Sequence, residues 1–171
     1  MRGLVTIETP RLRLIAANAA LIRFELENRS QLCVALDVAP PADWPPPLND
    51  ESSFRYFLSA LESDPSFAGW GYWYVIEKPR GLIGTCGFKG RPDADGMAEI
   101  GYAIVPSRQG NGFASEAAAA LIEWCRARGA KTVVAETLHE LPASIRVMEK
   151  TGLSFAGEGS EPGTIRYRRV L

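Results

Sequence analysis

Residues 107–117 read Ser-Arg-Gln-Gly-Asn-Gly-Phe-Ala-Ser-Glu-Ala, and their types and spacing suit the binding of an anion. Gly110 and Gly112 stand on a turn between a strand-like run, Glu99–Val105, and an Ala-rich stretch expected to be helical over Phe113–Arg128. Glycines in that position free several backbone N–H groups at a helix N-terminus, which carries about half a positive charge and favours phosphate. No proline lies between Ser107 and Leu141, so no amide donor is missing from the loop. Two familiar nucleotide loops do not fit. A P-loop needs Gly-Lys-Ser/Thr where Gly112 is followed by Phe113. A dinucleotide fingerprint needs a third Gly or Ala where Ser115 stands, and it should open a βαβ unit rather than lie two-thirds along the chain. What remains is Gln/Arg-x-x-Gly-x-Gly/Ala, met by Gln109, Gly112 and Ala114.

The elements that must hold this loop follow from periodicity and turn chemistry. Leu4–Ile15 alternates and reads as a first strand, with Pro10 marking an edge or bulge. Asn18–Arg29 is helix-like, and a stiff loop with Pro40, Pro41, Pro45, Pro46 and Pro47 surrounds Trp44. Asn49 or Asp50 can cap a second helix over Glu51–Leu61. A meander of Gly71–Glu77, Leu82–Lys89 and Met97–Val105 follows, so the front half should be antiparallel. Past the Ala-rich helix come a strand at Thr132–Thr137, a short helix from Pro142 to about Thr151 stopped by Gly152, and strands at Leu153–Ala156 and Thr164–Val170.

With 171 residues, 46% of them hydrophobic, the chain can bury one substantial core, and residues 1–171 are expected to form a single domain. The net charge is −1 with acids and bases mixed throughout, which argues against nucleic acid as a partner. Cys33, Cys86 and Cys125 lack metal-ligand spacing and read as reduced thiols, and His139 is the only histidine, so no metal site is expected. No run reaches membrane-spanning length and no signal-like segment opens the chain, so the expected location is cytoplasmic, away from membranes.

The order βααβββαβαββ and the local wording together resemble the GNAT superfamily of acyl-CoA-dependent N-acetyltransferases, in particular its RimJ/RimL-like branch. Thr9-Pro10-Arg11-Leu12-Arg13-Leu14 is similar to the opening strand of that branch, and Leu82-Ile83-Gly84 and Glu99-Ile100-Gly101-Tyr102 to its central strands. Gln109 through Ala117 is similar to its CoA loop, and Ser144 through Leu153 to its final helix and strand. The resemblance covers nearly the whole chain. It implies a single-domain α/β (α+β) fold: a mixed, mainly antiparallel sheet of about seven strands flanked by about four helices, with strands parting at the cofactor site. It implies acetyl-CoA as acyl donor, held by backbone at Ala103, Ile104 and Val105 and by the loop Arg108, Gln109, Gly110, Asn111, Gly112, Phe113, Ala114 and Ser115. A homodimer is compatible with it, and no stretch of sequence identifies an interface.

Two positions depart from the family pattern. Leu141 stands where the branch usually has Asn, and Leu is a poor helix cap. Met148 stands where many members place a tyrosine acid, one turn from Ser144 on the same helix face. Acetyl transfer needs a neutral amine. At pH 7 a lysine-like amine costs roughly 4.6 kcal/mol to deprotonate and an α-amine about 1 kcal/mol. Glu99, by its resemblance to the strand glutamate of several members, is the candidate base; the alternative is a strand glutamate paired with Lys or Arg. Ser144 is the candidate acid toward the departing thiolate, or else a serine bonding its own helix. Trp44, Phe54 and Tyr102 are the candidate acceptor-side residues, and Asp43, Asp50 and Glu51 carry charge that would attract a cationic amine. The acceptor is a small-molecule amine or a protein N-terminus. A non-catalytic acyl-CoA-binding module and a general nucleotide-phosphate binder stand as the competing readings.

Overall fold

The computed structural model describes residues 3–39 and 41–171. The front half runs β1 (Thr6–Glu8), β2 (Leu12–Ala16), α1 (Ala19–Glu27), α2 (Arg29–Leu36), α3 (Glu51–Ser63), β3 (Tyr72–Glu77), β4 (Gly81–Phe88) and β5 (Met97–Ile104). The back half runs α4 (Phe113–Arg126), β6 (Thr132–Leu138), α5 (Pro142–Lys150), β7 (Ser154–Glu158) and β8 (Thr164–Val170). All eight strands form one sheet in the order β1-β2-β3-β4-β5-β6-β8-β7. Every neighbouring pair is antiparallel except β5 and β6.

The expected seven strands and four helices become eight and five, for two local reasons. The single strand expected over Leu4–Ile15 breaks where Pro10 has no N–H to give. The Thr9 N–H donates to Leu12 O at 2.9 Å, and Thr6 pairs back with Ile15. The helix expected to reach Arg29 ends at Glu27, because Asn28 leaves helical geometry (φ −157°) and caps a second helix, its side chain accepting from the Gln31 N–H. Asp50 caps α3 as a Ser53 N–H acceptor, and Pro142 opens α5 as expected.

Side-chain alternation divides the sheet into two faces. Tyr72 and Tyr74 face α1 and α3: Tyr72 packs edge-on to Phe54 with centroids 5.1 Å apart, and the Tyr74 hydroxyl reaches Leu21 O. Trp73 faces the other way, its ring 5.3 Å from that of Trp124 in α4 and its Nε1 donating to Gly69 O. Register carries these faces across the sheet. Thr85 and Ala103 lie on the Tyr74 side, while Cys86 and Tyr102 lie on the Trp73 side. Leu12, Leu14, Trp73, Tyr74, Leu121 and Ile122 are fully buried in one continuous core. Burying side chains of this size stabilises the fold by about 1.5–3 kcal/mol each.

Candidate active site

The glycine turn expected to cradle an anion lies at the start of α4. Gly110 and Gly112 adopt φ +78° and +79°, the left-handed region in which a side chain costs about 1–2 kcal/mol. Gly112 caps the helix and no side chain bonds to the first turn, so the N–H groups of Phe113, Ala114 and Ser115 point outward unclaimed. The loop holds itself in shape. Asn111 Nδ2 donates to Arg108 O and Gln109 O, and Asp43 accepts from the Ser107 N–H (2.8 Å) and hydroxyl (3.0 Å). These bonds, the Ser107 N–H foremost, keep the Asp43 carboxyl below its ordinary range. Arg108 turns away from the cradle toward Glu77, with Nη1 3.5 Å from Oε2.

Arg11, just before β2, belongs to this region. Its Nη1 donates to Asn111 O at 2.9 Å, and its guanidinium lies 4.6 Å above the centre of the Phe113 ring. Glu116 fixes it by accepting from the Arg11 N–H, from Arg11 Nε at 2.7 Å and from the Thr9 hydroxyl at 2.6 Å. Burial pushes the Glu116 carboxyl up, but the Thr9 and Arg11 bonds and the Arg11 charge outweigh it and bring it down. No signal in the sequence joins positions separated by about a hundred residues.

Beside the cradle, the sheet opens. β5 pairs with β6 only over Met97–Glu99, after which β6 continues with β8 through Leu138. The Lys89 N–H donates to Glu99 O, and the Val105 N–H donates to Ile83 O. The alternation of an antiparallel ladder therefore commits Glu99, Gly101, Ala103 and Val105 to β4, and turns the main-chain groups of Tyr102 and Ile104 toward the opening. Gln109 Nε2 closes the far end by donating to Ile104 O at 2.9 Å. Of the three strand residues expected to meet the donor through their backbone, Ile104 thus faces the gap, while Ala103 and Val105 face β4.

Glu99 is half-buried on the α1–α3 face and forms an ion pair with Lys89, its direct cross-strand neighbour. Gly101 follows on the same face, and nothing lies within 4 Å of where its Cβ would be. On the opposite face the Tyr102 hydroxyl donates to Ser144 O at 3.1 Å and lies 3.3 Å from Ser144 Oγ. Leu141 supplies no side-chain cap to α5, and Met148 is 1% exposed, a core residue.

The remaining acceptor-side candidates divide by burial. Trp44 and Phe54 are buried core residues. The Trp44 Nε1 donates to Glu25, and its ring is tilted against Tyr74. Asp43 is engaged by Ser107, Asp50 caps α3, and Glu51 pairs with Arg55, so each of the three already holds a partner. A loop feature missed in the sequence lies nearby. Asn49 Oδ1 accepts from the Tyr72 and Thr85 hydroxyls, and the preceding Leu48 has φ +67° and is 90% exposed. His139 sits on an exposed loop, and no metal-ligand cluster occurs among the described residues.

A mainly antiparallel sheet whose one parallel pair parts beside an uncapped, glycine-opened helix is the architecture of an acyltransferase with a pyrophosphate-binding loop. The domain family described as "Acetyltransferase (GNAT) domain" matches residues 12–154, and the chain belongs to that family. It is 29% identical over 162 residues to the uncharacterized N-acetyltransferase YjdG of Bacillus subtilis (strain 168), covering 92% of this chain and 95% of YjdG. The fold is similar to ribosomal-protein-S5-alanine acetyltransferase from Vibrio fischeri, with TM-score 0.67, 17% identity, and 97% and 96% of the two chains covered. It is equally similar to RimL, a ribosomal L7/L12 alpha-N-protein acetyltransferase solved in complex with coenzyme A, with TM-score 0.67, 21% identity and 98% of each chain covered. Among the described residues no helix is long and apolar enough to cross a membrane.

Proposed function

We propose that this protein transfers an acetyl group from acetyl-CoA to a primary amine, either a protein N-terminus or a small-molecule amine, by direct attack within a ternary complex. The carrying observation is the start of α4, without a side-chain cap and with its left-handed glycines, at the end of the strand edge that has left β6. Unclaimed N–H groups of Gly110–Ser115 suit a pyrophosphate, and the N–H and C=O groups of Tyr102 together with the Ile104 N–H suit the amides of a pantetheine arm. The solution of RimL with coenzyme A supports the same use of the fold.

The amine approaches over the α1–α3 face, where Gly101 leaves room beside Glu99. Glu99 takes the ammonium proton, directly or through one water, after exchanging its Lys89 partner. Attack forms the C–N bond, and the C–S bond breaks toward Tyr102 and Ser144 on the other face. Trp44 and Phe54 shape the acceptor wall from behind, and Leu48 stands exposed at its edge.

The test is acetyl-CoA binding by calorimetry, followed by thiol release against a panel of amines, for the parent and Glu99→Gln. Saturable binding with turnover on at least one amine is expected. Binding without turnover across a broad panel would favour the non-catalytic module, for which the uncapped Leu141 and the buried Met148 are the motive. No binding of CoA would end both readings.

A further inference from the structure

We propose that the Tyr102 phenol, held in readiness by Ser144, is the hydrogen-bond donor that receives the departing CoA thiolate. This rests on the acetyl-CoA reading above and assigns a group to its last step. Tyr102 lies in the middle of the parted edge of β5, with its main chain turned to the opening and its side chain on the face where α4 and α5 pack. Its hydroxyl reaches Ser144 in the first turn of α5, 3.1 Å from the carbonyl and 3.3 Å from Oγ, so the phenol spans the opening from strand to helix. The helix position that would otherwise present a donor, one turn on, is occupied by the buried thioether of Met148, which has no proton to give.

Acidity decides between the two hydroxyls. A serine hydroxyl holds its proton far more tightly than a phenol, so Ser144 is the poorer donor of the pair. An ordinary phenol does not give up its proton more readily than an ordinary thiol, so full transfer from Tyr102 to sulfur is not favoured. Burial, partly offset by the Ser144 bond, raises the Tyr102 phenol further and keeps it neutral. The fitting role is therefore donation without complete transfer. As nitrogen bonds to the acetyl carbon, the C–S electron pair goes to sulfur and the Tyr102 O–H rotates from Ser144 O to that sulfur. The amine proton leaves to Glu99 or water, and the thiolate collects its own proton from solvent after release. The phenol ends the cycle as it began.

A hydrogen bond to the thiolate must lower the pKa of the bound CoA thiol, a property measurable without turnover. The pH titration of thiolate ultraviolet absorbance in the CoA complex, with the apo protein as blank for Cys33, is compared for the parent, Tyr102→Phe and Ser144→Ala. Tyr102→Phe is expected to raise the bound-thiol pKa by about one unit and lower kcat about 10- to 100-fold, with CoA affinity and acceptor KM unchanged within about twofold. Ser144→Ala is expected to do less on both counts. A bound-thiol pKa unmoved by Tyr102→Phe, or a larger loss from Ser144→Ala, overturns the assignment while acetyl-CoA binding stands. Failure of the parent to bind CoA instead overturns the reading beneath it.

Discussion

Glu136 gives the most quantitative prediction. It lies on β6 beyond the point where that strand leaves β5, directly opposite Arg166 of β8. Its carboxylate accepts from Arg166 Nε (2.8 Å) and Nη2 (2.6 Å), from the Ser160 hydroxyl (2.7 Å) and from the Ser160 N–H (3.0 Å). Burial alone would raise this carboxyl. The Ser160 and Arg166 bonds and the Arg166 charge overcome it and bring it from 4.5 to about 2. A gap of that size corresponds to a ceiling of about 3.4 kcal/mol. Arg166 is 34% exposed against 6% for Glu136, and solvent screening reduces the figure to about 2 kcal/mol.

The sign is that of a depressed carboxylate: the contribution is complete above pH 4.5 and disappears as pH falls toward about 2. Glu136→Gln should therefore cost about 2 kcal/mol in urea unfolding at pH 7, and much less near pH 2.5. The variant's stability should also vary less than the parent's between those limits. A cost of the same size at both pH values would refute the electrostatic account and leave only lost packing. The same bonds tie β6 to β8 and to the β7–β8 turn, so the variant should also weaken CoA binding by letting the parted strand drift.

Three other outcomes follow from particular positions. Gly112→Ala meets only Arg11 Nη2 at 3.6 Å, so its penalty is the positive φ, about 1 kcal/mol in Tm-derived stability, with a drop of CoA affinity by calorimetry as the N–H groups turn out of line. Gly101→Phe enters open space beside Glu99 and should leave Tm and CoA affinity unchanged while raising acceptor KM about tenfold or more in steady-state assays. Glu99→Gln should lower kcat/KM at pH 7 far more for lysine-like amines than for α-amines, because deprotonation costs about 4.6 against 1 kcal/mol; equal losses for both would remove Glu99 from proton transfer.

The loop was legible because its chemistry is local. Left-handed turns favour glycine, and an Ala-rich run favours a helix, so Gly110, Gly112 and the run after them locate the turn and the start of α4 from composition and order. The opposite facing of Trp73 and Tyr74 is equally local, since alternation is a property of one strand. α2 was not legible, because Arg-Ser-Gln-Leu-Cys-Val-Ala-Leu buries only Leu32 and Leu36 and no Gly or Pro marks its start. The Arg11–Glu116 tie, the Asn49 bonds to Tyr72 and Thr85, and the Tyr102–Ser144 pair were also invisible, since each joins segments at least 23 residues apart. Glu99 lies between these cases. Its strand was readable, but whether it faced an amine or a lysine depended on the β4–β5 register, and the structure shows it against Lys89 with open space one pleat further on.

A grip made of peptide N–H groups has one more consequence. Every amino acid except proline supplies the same donor, so the cradle is indifferent to which side chains decorate Asn111, Phe113 or Ser115, provided the two glycines keep their turns. On the proposed function, recognition of the acyl donor would then persist through extensive sequence drift. On the same reading, the opposite face, with Leu48, Gly101 and the side chains around Asn49, has no such insulation, and single substitutions there would redirect the protein to a new amine without disturbing the half proposed to bind the acyl carrier.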